Sequence, residues 1–279
     1  MTSDPSSKPP SSEPDVDPGD LAVGRWIRRA LVIFPAGLVL LGAASFLVWQ
    51  WKKDRADDRN LRYAAALRLE PTVEAWQKYR SVLDEVTAGQ DLAGRLAATA
   101  SYLASSMGEE SMGYAVTRVD SNLPERASVI QVELTGRRRT RELVELVVLY
   151  GAAEPERAAA ENRALASVLV LARWLTGEKV DRTVRISLLP LCSMSETAQS
   201  LHLEEIGSKD AMADHRRLFL DVFAAGPDAE SMLNRLKQAF ATVREGTVVT
   251  MENPPADEAE ALRWVEAAQA RLLKRAMVP

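Results

Sequence analysis

A single cysteine, Cys192, stands among 279 residues, which excludes an internal disulfide and a cysteine-built zinc cluster. Histidine is nearly as scarce, with only His202 and His215. His202 lies in an apolar stretch and His215 in the polar run Asp214-His215-Arg216-Arg217, so both read as structural or surface residues. No excess of basic charge is present: the net charge is -4, and nucleic acid is not an expected partner. Apolar periodicity is missing from Met1 to Asp20, a stretch rich in Ser, Pro and Asp that cannot bury enough surface to offset chain entropy. Residues 1–24 are therefore expected to be a disordered tail. Charge is absent from Ala30 to Trp51.

That charge-free run is the first positive signal. At about 1.5 Å per residue it exceeds a hydrocarbon thickness of about 30 Å, and Trp26, Trp49 and Trp51 fall where interfacial aromatics belong. It predicts one transmembrane helix, with its flanks spanning 25–53. A cleaved signal peptide would need a shorter apolar core, and Trp49-Gln50-Trp51-Lys52-Lys53 is a poor cleavage context. Counting Lys and Arg beside the span leans toward a cytoplasmic C-terminal side, since Lys52, Lys53, Arg55, Arg59 and Arg62 outnumber Arg25, Arg28 and Arg29. Long domains, however, translocate largely regardless of charge.

Beyond the span, 54–88 is charged and helical in pattern, broken at Pro71, and reads as a juxtamembrane helical linker. The remaining 89–279 form one domain, with 47% hydrophobic residues in the chain as a whole sufficient for a core. Its centre is Leu143 to Leu191. Two short apolar runs, Leu143 to Tyr150 and Val184 to Leu191, read as buried strands. Between them Ala164, Leu165, Val168, Leu169, Ala172 and Leu175 recur at helical spacing, and Gly177 is a stop signal. Strand, helix, strand predicts an α/β domain with a parallel sheet. Around this centre, Leu92 to Met107 predicts a helix, and Tyr114 to Val119 and Val129 to Leu134 predict strands. The run Gly136-Arg137-Arg138-Arg139 predicts a hairpin turn leading to Leu143. Further on, Leu201 to Gly207, Leu218 to Ala224 and Val248 to Met251 read as strands, and Ala229 to Val243 and Asp257 to Met277 as helices.

These residues resemble the co-catalytic zinc aminopeptidases and glutaminyl cyclases (peptidase family M-twenty-eight). The family carries a strand ending in His-x-Asp, a Gly-Ala-Asp-Asp-Asn-type loop, a helix ending in Leu-Ala-Arg and a strand of Thr-Val-Arg-Phe type delivering a Glu-Glu pair. Val147-Val148-Leu149-Tyr150-Gly151-Ala152-Ala153-Glu154 is similar in position to the first motif, and Ala160-Glu161-Asn162 to the second. Leu171-Ala172-Arg173 and Thr183-Val184-Arg185-Ile186 match the scaffold, and Leu201 to Gly207 resembles a Leu-Glu-Met-Ile-Gly strand. The resemblance implies a three-layer sandwich with a mixed, mainly parallel sheet between helices.

It also implies a centre of two zinc ions held by imidazoles and carboxylates, with a second-shell Glu as base. Here the first histidine corresponds to Ala152 and its partner to Glu154. The bridging Asp corresponds to Glu161, the Glu-Glu pair to Cys192 and Ser193, and one later ligand to Glu204. Pro254-Pro255 occupies the region of the last histidine. The expectation is a family member without zinc or another cofactor, catalytically inactive, acting as a membrane-anchored binding or scaffolding module for a protein partner. The family's frequent export places the domain on the extracytoplasmic side. The competing class is an active hydrolase with a metal centre remodelled around Glu154, Glu161, Glu204 and Cys192. Weak Ca²⁺ or Mg²⁺ binding by the three glutamates is a smaller variant, and a Cys192 or Ser193 nucleophile has no histidine placed to activate it. The basic run Arg137, Arg138, Arg139 and Arg141 reads as a solvated tip, or as a contact for anionic lipid or an acidic partner.

Overall fold

The computed structural model describes residues 18–120, 128–190, 214–225, 229–240, 245–251 and 257–278, with Gln199, Leu203, Glu204 and Ile206. It divides into two compact units, Met1–Asp58 and Arg59–Pro279.

The first unit consists, in its described part, of helix α1 (Pro18–Leu67), whose last turns belong to the second unit. Residues 18–24, expected in the tail, are helical: Pro18 heads the helix, where its fixed φ suits the first turn. The segment Ile33–Lys53 is long and apolar enough to cross a membrane, and none of it is buried. At its C-terminal end the Lys53 ammonium sits 5.7 Å from the Trp49 ring, and the Arg55 guanidinium 4.0 Å over Trp51. Aromatic bodies with cationic neighbours suit a bilayer interface.

In the second unit, six strands form one sheet in the order β1-β2-β4-β3-β5-β6. They are β1 (Val116–Asp120), β2 (Ser128–Leu134), β3 (Arg139–Leu149), β4 (Arg182–Leu189), β5 (Arg216–Ala225) and β6 (Glu245–Met251). The β1/β2 and β2/β4 pairs are antiparallel, and β3/β4, β3/β5 and β5/β6 are parallel. The sheet is thus mixed and mainly parallel, flanked by helices, as the strand, helix, strand pattern predicts.

The expected hairpin at Gly136 does not form. β2 pairs with β4, and the chain crosses the start of β4 to reach β3 on its far side. Three amides hold the crossing: Arg137 N–H donates to Val180 O (2.9 Å), and those of Arg138 and Arg139 to Asp181 O (3.1 and 2.8 Å). Gly136 fits because a Cβ there would lie 2.5 Å from the backbone of Asp181 and Arg182. A run that looks like a tight turn is therefore a strap.

Helix α4 (Pro155–Leu175) returns β3 to β4, and its apolar positions from Ala164 onward are buried except for the half-buried Trp174. Helices α2 (Val73–Thr87), α3 (Leu92–Met107) and α6 (Glu258–Ala276) share its side of the sheet, with α6's Trp264 stacked on Phe223 of β5 at 4.2 Å. Thr72, Asp91 and Asp257 cap α2, α3 and α6 by accepting from the amides of Ala75, Gly94 and Glu260. Helix α2 falls in the segment expected as a linker, yet it contributes Trp76, Tyr79 and Leu83 to the core. The Trp76 indole donates to Ser167 Oγ of α4 at 2.9 Å. Pro71 does separate α1 from α2, as the sequence suggests.

Helix α5 (Ala229–Ala239) contacts β5 and β6 from the opposite face, where Phe240 just beyond it stacks on Arg217 at 3.6 Å. The stretch 201–207, expected as a strand, is helical at its described residues Leu203, Glu204 and Ile206. Leu203 and Ile206 are buried while Glu204 is exposed, the i, i+3 pattern of one helix face.

Candidate functional site

Parallel sheets build their sites at the C-terminal ends of strands, where loops leave for the helices. In β3 that end is Leu149-Tyr150-Gly151-Ala152. Tyr150 closes the strand: its amide donates to Leu189 O at 2.9 Å, and its hydroxyl donates to Ser128 O. Gly151 then turns the chain off the sheet with φ 98°, a conformation that favours glycine.

The loop so released is organised by one side chain. Glu161, on the second turn of α4, accepts from Gly151 N–H with Oε1 and from Ala152 N–H with Oε2, both at 2.8 Å. From α3, Arg95 reaches the same loop, its Nη2 donating to Ala152 O (3.2 Å) and Ala153 O (2.9 Å). One residue past Glu161, Asn162 donates to Asp84 Oδ1 (2.9 Å) and Thr87 Oγ1 (3.2 Å), tying α4 to α2. Loop amides are thus held by a carboxylate and loop carbonyls by a guanidinium.

Glu161 is 7% exposed. Burial pushes its carboxyl up to about 7, against the Gly151 and Ala152 hydrogen bonds and the Arg95 charge, which pull it down. A small cleft lies beside it between α3 and α4, lined by Leu92, Arg95, Thr99, Tyr150 and Ala158 among others.

The other expected positions are distributed differently. Ala152 offers only a methyl group and its backbone to the site. Glu154 precedes α4 without capping it, is exposed, and lies 3.7 Å from Arg157. Glu204 is exposed on its helical turn. Cys192, Ser193, His202, Pro254 and Pro255 lie outside the described residues. His215 is half-buried and accepts from Arg185 Nη2 at Nδ1, 2.9 Å away. Among the described residues, no three His, Cys, Asp or Glu side chains gather where they could hold a metal ion.

A second polar assembly went unforeseen. On the sheet face bearing α5, Glu145 of β3 is ion-paired with Arg217 of β5 and accepts from Ser187 Oγ of β4 at 2.5 Å. Beside it, Arg185 donates to Glu133 Oε1 of β2 at 2.7 Å. Glu145, Arg185, Ser187 and Arg217 are all buried. The signal was present in the sequence: Glu145 and Arg185 interrupt otherwise apolar strands, and they occupy paired positions across β3 and β4.

No protein-family model matches this sequence, and no curated protein matches it. Solved structures do match in fold. A zinc-dependent exopeptidase from Parabacteroides distasonis aligns at 8% identity and TM-score 0.52, covering 74% of this chain and 99% of that one. Tannerella forsythia glutaminyl cyclase aligns at 10% identity and TM-score 0.50, with 74% and 99% covered. Fimbriiglobus ruber glutaminyl cyclase aligns at 12% identity and TM-score 0.44; the match takes in 57% of this chain and 63% of that one, under two thirds of its length. The domain that holds the Glu161 loop has the exopeptidase-like fold common to the Parabacteroides and Tannerella proteins.

Proposed function

We propose that this chain is a membrane-anchored, catalytically inactive protein of exopeptidase-like fold, acting as a binding or scaffolding module for a protein partner on the extracytoplasmic side. The observation that carries the reading is the commitment of Glu161. A carboxylate bridging two zinc ions must turn both oxygens to the metals, whereas both Glu161 oxygens accept backbone amides of the adjoining loop. Freeing them would leave two amides without acceptors and loosen the loop whose carbonyls Arg95 holds. Ala152 supplies no imidazole, and Glu154 faces solvent beside Arg157. A hydrolase remodelled around Glu154, Glu161, Glu204 and Cys192 is the competing outcome.

The purified full chain in detergent or bilayer decides between them. Chromogenic aminoacyl substrates and N-terminal glutaminyl peptides are assayed with zinc supplied. The proposal expects no turnover above a blank, with partners recovered by crosslinking in membranes. Zinc-dependent turnover abolished by Glu204→Ala would overturn it.

A further inference from the structure

The basic segment 137–141 lies at the other end of β3 from the Glu161 loop and plays no part in it. Its backbone is fixed by the three hydrogen bonds to Val180 and Asp181. Its side chains are not enclosed: those of Arg138 and Arg141 are 74% and 70% exposed. Their partners are Asp181, with Arg138 Nε 3.4 Å away, and the exposed Asp214, 2.6 Å from Arg141 Nη1. The Arg141–Asp214 pair is exposed on both sides, and in the longer Arg138–Asp181 pair the guanidinium is exposed while the carboxylate is largely covered, so both guanidinium groups remain open to other anions. A rigid strap presenting exchangeable guanidinium groups is suited to phosphate oxygens.

What lies beside the strap selects the source of that phosphate. Gly177, at the end of α4 with φ 73°, lies so close to the backbone of Ala64 and Ala65 that a Cβ there would fall 2.5 Å from Ala65 N. Arg68 pairs with Glu178 at 2.5 Å. Val180, whose carbonyl holds Arg137, follows directly. The domain is thus entered by the chain at the end that carries the strap. Between Lys53, where the candidate span stops, and Ala64 the chain carries Arg55, Arg59 and Arg62 balanced by Asp54, Asp57 and Asp58, so the basic character at this end of the domain comes from the strap itself. Even fully extended, this stretch keeps the domain's entry within about 40 Å of the end of the span.

We propose that segment 137–141 contacts the headgroups of anionic phospholipids, an inference that rests on the membrane-anchored reading given above. Each arginine at an anionic surface strengthens partitioning about fivefold, so Arg138 and Arg141 together bias the domain toward the bilayer. The interaction weakens as salt screens it.

The test uses the full chain reconstituted in phosphatidylcholine liposomes, with or without roughly a third phosphatidylglycerol. A fluorophore is attached through Thr135→Cys, an exposed position beside the strap, in a Cys192→Ser background. Headgroup nitroxide lipid serves as quencher. Quenching several-fold stronger with phosphatidylglycerol, reversed by salt and abolished in R138E/R141E, is the expected result. A milder R138Q/R141Q pair, intermediate in effect, serves if the reversal disturbs folding. Equal quenching in both lipids overturns the contact, as would full retention of the difference in the variants. Alkaline carbonate extraction of the same liposomes reports on the anchor alone: release of the chain would refute the anchor, while the lipid comparison still judges the strap.

Discussion

Replacing Glu161 by its neutral isostere, Glu161→Gln, should flatten the dependence of this domain's stability on pH. In the folded chain burial raises the carboxyl from 4.5 to about 7. The folded state therefore holds this proton more tightly than the unfolded state. The resulting stabilisation is complete below 4.5 and is lost as pH rises through about 7. At about 1.4 kcal/mol per pH unit the full effect is about 3 kcal/mol, of which about 2 falls between pH values of about 8 and 5.5. In a domain of this size that corresponds to a rise in Tm of about 4–8 °C on acidification. Thermal unfolding of the full chain, followed by circular dichroism at both pH values, reads it directly. The depressed carboxyl of Glu142, which Arg182 and Arg139 hold down against its burial, acts below 4.5 and so outside this window. Subtracting the profile of the Glu161→Gln variant cancels every other titrating group. If wild type and variant keep parallel pH profiles, or if wild type gains stability toward alkaline pH relative to the variant, the buried carboxylate does not carry the charge assigned to it.

The remaining expectations concern the frame around the loop. Trp76→Ala should cost about 3–5 kcal/mol in denaturant unfolding, because it empties a fully buried site and removes the indole donor to Ser167 Oγ; a change below about 0.5 kcal/mol would return α2 to the status of a linker. Gly177→Ala should cost more than the roughly 1 kcal/mol of a left-handed alanine, since the new Cβ also meets the Ala65 backbone; the same denaturant titration checks it, and near-neutrality would refute the close approach. Arg217→Met alone should cost about 3–5 kcal/mol by stranding Glu145, and adding Glu145→Leu should recover most of that. Additive losses in that double-mutant cycle would contradict a coupled buried pair.

The centre of the fold was legible because it is local. The run from Leu143 to Tyr150, the helical spacing through Leu175 and the second apolar run are each set by burial of consecutive residues, and β3, α4 and β4 follow them closely. Pairing across the sheet was less visible. The basic run after Gly136 has the composition of a turn, while its actual course depends on β4 lying between β2 and β3, through contacts such as Ile130 with Leu188. The periodicity of Trp76, Tyr79 and Leu83 was readable, but charged neighbours concealed that its partner is α4. At the loop itself, Glu161 could be singled out by position. Its hydrogen-bond partners could not, since backbone amides leave no mark in a sequence and Arg95 arrives from α3. Glu204 drew attention inside an apparently strand-like run, whereas burial of Leu203 and Ile206 on one helical face turns it outward.

The proposal's central claim is that the Glu161 carboxylate serves the loop rather than a metal pair. Equilibrium dialysis of the purified full chain against zinc at neutral pH, followed by elemental analysis, addresses it most directly. The account predicts far less than one zinc ion per chain, unchanged by Glu161→Gln. Two tightly held ions per chain, lost in that variant, would contradict it.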